Sequence, residues 1–174
     1  GGVYLKGIAE EVRKPFPKER RPSANVIEGN HVHHCGLFYR HVAGIYLAFS
    51  HDNAIRHNLI HDVPRYGISL KNDSGGNVVE FNEVRRTNLE TQDTGAIEMA
   101  ENRAGSVVRN NLVVDAVGCG FDRMRNRVAA PYNACGIYLD NQSSRCVVTH
   151  NVVVRTAGGV WLNAGSHNVM ENNV

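Results

Sequence analysis

Three carboxylates in this sequence could act as a pair on one bond. Asp93 and Glu98 flank the stretch Thr94-Gly95-Ala96-Ile97, and Asp140 closes Gly136-Ile137-Tyr138-Leu139-Asp140. Glycosidic hydrolysis needs two carboxyl groups on opposite sides of the scissile bond. They stand about 5 Å apart when one is a nucleophile, and about 6.5 to 9.5 Å apart when a water intervenes. A polysaccharide lyase or epimerase acting on uronic acids needs instead a proton-abstracting base and cations to neutralise the substrate carboxylate. Lys71, Arg65, Arg85 and the arginines Arg123, Arg125 and Arg127 are candidates for that chemistry. A third possibility is a carbohydrate-binding surface with no chemistry at all.

The elements that would position these residues are repeats. Asn25-Val-Ile27-Glu-Gly-Asn30, Asn53-Ala-Ile55-Arg-His-Asn58, Asn77-Val-Val79-Glu-Phe-Asn82, Ser106-Val-Val108-Arg-Asn-Asn111, Cys146-Val-Val148-Thr-His-Asn151 and Asn168-Val-Met170-Glu-Asn-Asn173 align without gaps. Between them recurs a glycine-led strand: Gly44-Ile-Tyr-Leu47, Gly67-Ile-Ser-Leu70, Gly95-Ala-Ile97-Glu-Met99, Gly136-Ile-Tyr-Leu139 and Gly159-Val-Trp-Leu162, with Gly2-Val-Tyr-Leu5 as an earlier copy. Short β-branched strands cannot bury an apolar face alone. Stacked about 4.8 Å apart, they bury one continuous interior. The pattern predicts an all-β fold, a right-handed parallel β-helix of about five to six coils forming a single domain over residues 1–174. The recurrent Asn suits a stacked amide ladder, its side chain bonding local backbone and the residue itself tolerating left-handed φ.

Insertions fall at one corner. From each glycine strand to the next coil the spacing holds, 8 residues from Ile45 to Asn53 and 9 from Ile68 to Asn77. On the other side it varies: 10 residues separate Asn58 from Ile68, 15 separate Asn82 from Ile97, and 26 separate Asn111 from Ile137. Loop insertions are expected at about 6–24, 85–94 and 115–135, and variable loops on a repeated scaffold build its binding face. Alternation then places Tyr46, Ser69, Glu98, Tyr138 and Trp161 in one outward column, and Ala48, Lys71, Ala100, Asp140 and Asn163 in the next. Aromatic rings beside carboxylates, an amide and a lysine suit sugars, whose apolar ring faces stack on aromatics while their hydroxyls take the polar groups. Tyr46, His61, Arg65, Lys71, Tyr138, Trp161 and Asn163 are the expected substrate-binding residues. Glu98 and Asp140 differ by one coil and two residues, a backbone separation of roughly 8 Å. The distance of Asp93 depends on how its loop folds.

Bulk properties exclude several alternatives. The net charge of +2 is spread along the chain, so neither nucleic acid nor a membrane surface is an expected partner, and no apolar run approaches the length of a bilayer span. The expected partner is a polysaccharide or oligosaccharide substrate. The four cysteines, Cys35, Cys119, Cys135 and Cys146, show no Cys-x-x-Cys spacing. Cys119 and Cys135 bracket the longest insertion and could pair, or remain buried thiols. His33, His34, His61 and Asp62 sit on neighbouring coils, but no tight motif joins them, and neither a metal site nor a cofactor is expected. The chain has no initiator Met, starting at "GGVYL" and ending at "NNV", which reads as a processed chain or a piece of a longer protein.

The segments "NLIHDVPRYGISL", "TQDTGAIEM" and "GIYLDNQSS", in that order with Asn-ladder coils between them, resemble right-handed β-helix carbohydrate-active proteins. The narrower Asp-Thr-Gly-Ala and Gly-Ile-Tyr-Leu-Asp motifs are most similar to glycoside hydrolase family 141, whose members include an α-L-fucosidase and a xylanase. The resemblance implies a glycosidase of plant or microbial polysaccharide, extracellular or periplasmic, with Asp93 and Asp140 as the catalytic pair. Two positions depart from that family: Asn141 stands where a second acid is usual, and Glu98 where an aromatic is common.

Overall fold

The computed structural model describes residues 2–7 and 22–174. Most of the excursion expected at 6–24 lies outside the described residues. After β1 (Val3–Lys6), the chain winds through five coils. These are β2 (Val26–Glu28), β3 (His31–His33) and β4 (Ala43–Ala48); β5 (Ala54–Arg56), β6 (Leu59–His61) and β7 (Tyr66–Lys71); β8 (Val78–Glu80), β9 (Glu83–Thr87) and β10 (Thr94–Ala100); β11 (Val107–Arg109), β12 (Leu112–Ala116) and, after the inserted pair β13 (Gly120–Asp122) and β14 (Arg127–Ala129), β15 (Ala134–Asp140); then β16 (Val147–Thr149), β17 (Val152–Val154) and β18 (Val160–Leu162). β19 (Val169–Glu171) begins a further turn. Like strands of successive coils pair in parallel into three sheets: β1-β4-β7-β10-β15-β18, β2-β5-β8-β11-β16-β19 and β3-β6-β9-β12-β17. The fold is an all-β, parallel β-helix solenoid.

Inward residues stack by type. Ile45, Ile68, Ile97 and Ile137 pair register to register, as do Leu47, Leu70, Met99 and Leu139, and all eight are fully buried. Each such side chain, withdrawn from water, contributes about 1.5–3 kcal/mol. A column of them gives a core that no single strand could bury.

Polar order sits at the corner between the second and third sheets. Nδ2 of Asn30, Asn58, Asn82, Asn111 and Asn151 donates to Oδ1 of the ladder Asn in the next coil at 2.9–3.0 Å. From Asn58 onward the same amide also donates to a carbonyl of the preceding coil, as from Asn82 to Ile55 and from Asn111 to Val79. One amide thereby ties three coils. The left-handed conformation does not fall on the ladder Asn itself but on the residue before it: Gly29, His57, Phe81, Asn110, His150 and Asn172 have φ of +53° to +67°. The ladder Asn must keep its own N–H aimed at the next Oδ1, so the bend moves one residue upstream.

Candidate active site

The outward face of the first sheet carries the columns expected from the sequence. Tyr4, Tyr46, Ser69, Glu98, Tyr138 and Trp161 are register partners from coil to coil, and Ala48, Lys71, Ala100 and Asp140 form the adjacent row. Every residue of β10 is buried, and residues of the corner insertions, Tyr39, His41 and Asp93, stand beside this face. A cavity of about 580 Å³ remains between them, lined among others by Tyr46, Arg65, Tyr66, Lys71, Asp93, Glu98 and Asp140. All three candidate carboxylates therefore open onto one cleft.

Their surroundings differ. Glu98 is 1 % exposed. Its Oε1 is paired with the Lys71 ammonium and its Oε2 accepts the Gly95 N–H at 3.1 Å. Burial raises the Glu98 pKa against the opposing pull of Lys71. Both oxygens are engaged, and the residue holds the start of its own strand. Asp93 is exposed, sits at φ +52° in the turn before that strand, and lies with Oδ1 3.5 Å from the Tyr138 hydroxyl. Gly95 makes this approach possible, since a Cβ there would meet the Tyr138 Cβ at 2.7 Å. Asp140 accepts the Asn163 amide on Oδ1 at 2.8 Å. Burial first, then the negative charges of Asp140 and Asp93, drive the Tyr138 pKa upward, so its hydroxyl stays protonated.

Cations brace the cleft. The Arg65 guanidinium and the Lys71 ammonium each lie 4.6 Å from the centre of the Tyr66 ring. Arg65 also donates to the backbone carbonyls of Gln92 and Asp93, at 3.4 and 3.0 Å, pinning the turn that presents Asp93. His41 meets Tyr66 edge-on at 5.8 Å, and burial together with Arg65 and Lys71 lowers its pKa. Tyr4 and Tyr46 stack at 5.0 Å, forming a flat aromatic wall. The Ser69 hydroxyl, buried between Tyr46 and Glu98 in the column, has no hydrogen-bond partner among the described residues.

Of the expected binding residues, Tyr46, Arg65 and Lys71 line this cavity, whereas His61, Tyr138, Trp161 and Asn163 do not. Trp161 packs edge-on against Tyr138 at 5.7 Å, and the Asn163 amide donates to Asp140. His61 is on the third sheet, where its Nε2 is 2.7 Å from His31 Nε2 and its Nδ1 is 2.6 Å from Asp62, which Arg86 holds in turn. The neighbouring His33 and His34 bond each other through Nδ1 at 2.8 Å. These imidazoles engage in pairs, and no group of three or more His, Cys, Asp or Glu among the described residues is arranged to hold a metal ion. Cys119 and Cys135 are free thiols, with Cys135 buried beneath the cleft and its pKa pushed up by burial and by Glu98. Tyr39, His41 and Asn72 line the cleft without having been singled out in the sequence. Tyr39 and His41 stand on an insertion outside any repeat, whereas Tyr4 follows directly from the outward column.

Residues 18–128 match the family model described as right handed beta helix region, which is more than half of the chain. The chain belongs to the right-handed β-helix family. The matched stretch of this β-helix includes Asp93 and Glu98 and ends before Asp140, although β15 continues the same register as β10. No curated protein and no solved structure matches the chain significantly.

Proposed function

We propose that this right-handed β-helix is a glycoside hydrolase-like enzyme that binds a plant or microbial polysaccharide, or an oligosaccharide from one, and cleaves a glycosidic bond with Asp93 and Asp140. The supporting observation is that Asp93 and Asp140 line one cleft, with the Tyr138 hydroxyl 3.5 Å from Asp93 Oδ1. One carboxyl donates a proton to the leaving oxygen while the other attacks the sugar or activates a water. The resemblance of the Asp-Thr-Gly-Ala and Gly-Ile-Tyr-Leu-Asp motifs to glycoside hydrolase family 141 selects the same two residues, and an extracellular or periplasmic setting accompanies it. The Tyr4–Tyr46 wall offers a stacking surface for a sugar ring. Elimination fits less well, because the Lys71 ammonium is committed to Glu98 and is poorly placed to serve as a base.

The test is release of new reducing ends from a panel of polysaccharides by the wild type, by Asp140→Asn and by Asp93→Asn. The wild type is expected to release them, and each variant to lose at least about two orders of magnitude in rate. Unsaturated uronide products would indicate a lyase instead. Retention on a glycan affinity gel with no new ends would indicate a binding β-helix, and full activity in Asp140→Asn would remove the assigned pair.

A further inference from the structure

Beyond the cleft, the 26-residue span from Asn111 to Ile137 builds a second concavity. β13 and β14 pair antiparallel, Phe121 opposite Val128 and Asp122 opposite Arg127. The hairpin is tied to the solenoid by Cys119 N–H to the Thr91 carbonyl at 2.9 Å and by Asp93 N–H to the Asn133 carbonyl at 2.6 Å. Between hairpin and solenoid lies a cavity of about 620 Å³, within the usual size of a ligand site. Phe121, Tyr132, Gln92 and Arg123 are among its lining residues. Gln92 forms its wall on the solenoid side, and the next residue, Asp93, lines the cleft, so the two cavities lie on either side of one short turn.

The charges on the two sides differ. In the cleft three carboxylates face two permanent cations, Arg65 and Lys71. In the hairpin cavity the lone carboxylate, Asp122, is buried and occupied: its Oδ1 accepts the N–H groups of Met124 and Arg125, at 3.0 and 3.2 Å, and its Oδ2 pairs with Arg125 at 3.4 Å. Arg123 has no ion-pair partner among the described residues. A guanidinium lining the same cavity as Phe121 and Tyr132, on a hairpin whose turn is already capped, suits a planar carboxylate carried on a sugar ring.

We propose that the hairpin cavity is a binding subsite for a carboxylated sugar of the same glycan chain, with Arg123 as the group that reads the carboxylate. This rests on the cleft being a saccharide site and names its substrate class as an acidic glycan, cleaved beside a uronic acid. The experiment compares binding of oligogalacturonate, oligomannuronate and glucuronoxylan fragments with their carboxyl-reduced forms, by affinity electrophoresis or calorimetry. The wild type is expected to hold at least one carboxylated form about tenfold tighter than its reduced counterpart, the effect of one charge-assisted contact. Arg123→Ala should bring that ratio to one. Arg56→Ala, which removes the same charge from the second sheet, should leave it intact. A wild-type ratio near one overturns the subsite, as does an equal loss in Arg123→Ala and Arg56→Ala, which would mean general attraction of polyanions. Carboxylate-dependent binding with no cleavage would keep the subsite and remove the hydrolase reading. Cleavage of carboxylated and reduced chains alike with a ratio of one would do the reverse.

Discussion

Lys71 and Glu98 form an ion pair across neighbouring coils, with only 16 % and 2 % of their side chains exposed. Two residues apart in register and one coil apart, they meet because Lys71 crosses toward the column that Glu98 occupies. Breaking a buried pair from one side leaves an uncompensated charge in a low dielectric. Lys71→Met should therefore lower stability at neutral pH by about 3 kcal/mol, read as a lower urea midpoint at unchanged slope. Adding Glu98→Gln should recover part of that loss; strictly additive losses would mean that the two side chains do not interact.

The same pair sets a pH dependence. Burial raises the folded Glu98 pKa above its ordinary 4.5, so the folded state holds its proton more tightly than the unfolded chain. The contribution of this group is thus fully favourable below the ordinary value and declines as pH rises through the folded value. In Lys71→Met the opposing attraction is gone, and the decline should extend to higher pH. Thermal melts across the acid range should show this difference between the two proteins, and Glu98→Gln should lack the decline; identical pH profiles for all three would refute it.

Much of this was legible in the sequence, because in a β-helix one-dimensional spacing becomes three-dimensional register. The column from Tyr46 through Ser69, Glu98 and Tyr138 to Trp161 follows from a period of two within a strand and from the Asn-to-Asn offset between coils. Whatever depended on the insertions was not legible. Glu98 points outward by pleat, yet it is buried, paired with Lys71 and accepting the Gly95 N–H. His61 precedes the loop that leads to Arg65, yet it belongs to the imidazole cluster of the third sheet. Loop paths follow contacts distant in sequence, and no repeat announces them.

Tyr138→Phe removes the hydroxyl that lies beside Asp93 while keeping the ring that packs on Trp161. The fold should persist. If the two carboxyls act as a pair, kcat on a cleaved glycan should fall by about 10- to 100-fold with little change in KM, since a displaced carboxyl loses geometry rather than substrate affinity. Unchanged kcat would show that the hydroxyl does not organise the pair.

Asp62 provides an acid-side counterpart. A hydrogen bond from Arg86, then one from His61, holds its carboxyl well below the ordinary 3.8. A depressed folded pKa contributes stability above the ordinary value, and that contribution is lost as pH falls through the folded value. Arg86→Ala should be less stable than the wild type at neutral pH, with the gap closing as pH falls below 3.8. Urea midpoints of both proteins at several acid pH values would test this, and a gap independent of pH would assign the Arg86 effect to packing.

Asn111 tests the ladder. Its amide donates to Asn151, Val79 and Arg109, and its Oδ1 accepts both the N–H and the amide of Asn82. Asn111 itself is 2 % exposed, and its partners Val79, Asn82 and Asn151 are buried as well. Each buried group left unpaired costs about 1–3 kcal/mol, so Asn111→Ala should destabilise the chain by at least about 3 kcal/mol. Asn111→Asp keeps the shape and the acceptor but removes the donors and buries a charge. It should fare no better at neutral pH and should improve on acidification, as protonation returns a neutral group with one donor. The comparison of denaturation midpoints separates hydrogen bonding from volume: if the aspartate variant matched the wild type, the amide would be filling space and not tying coils.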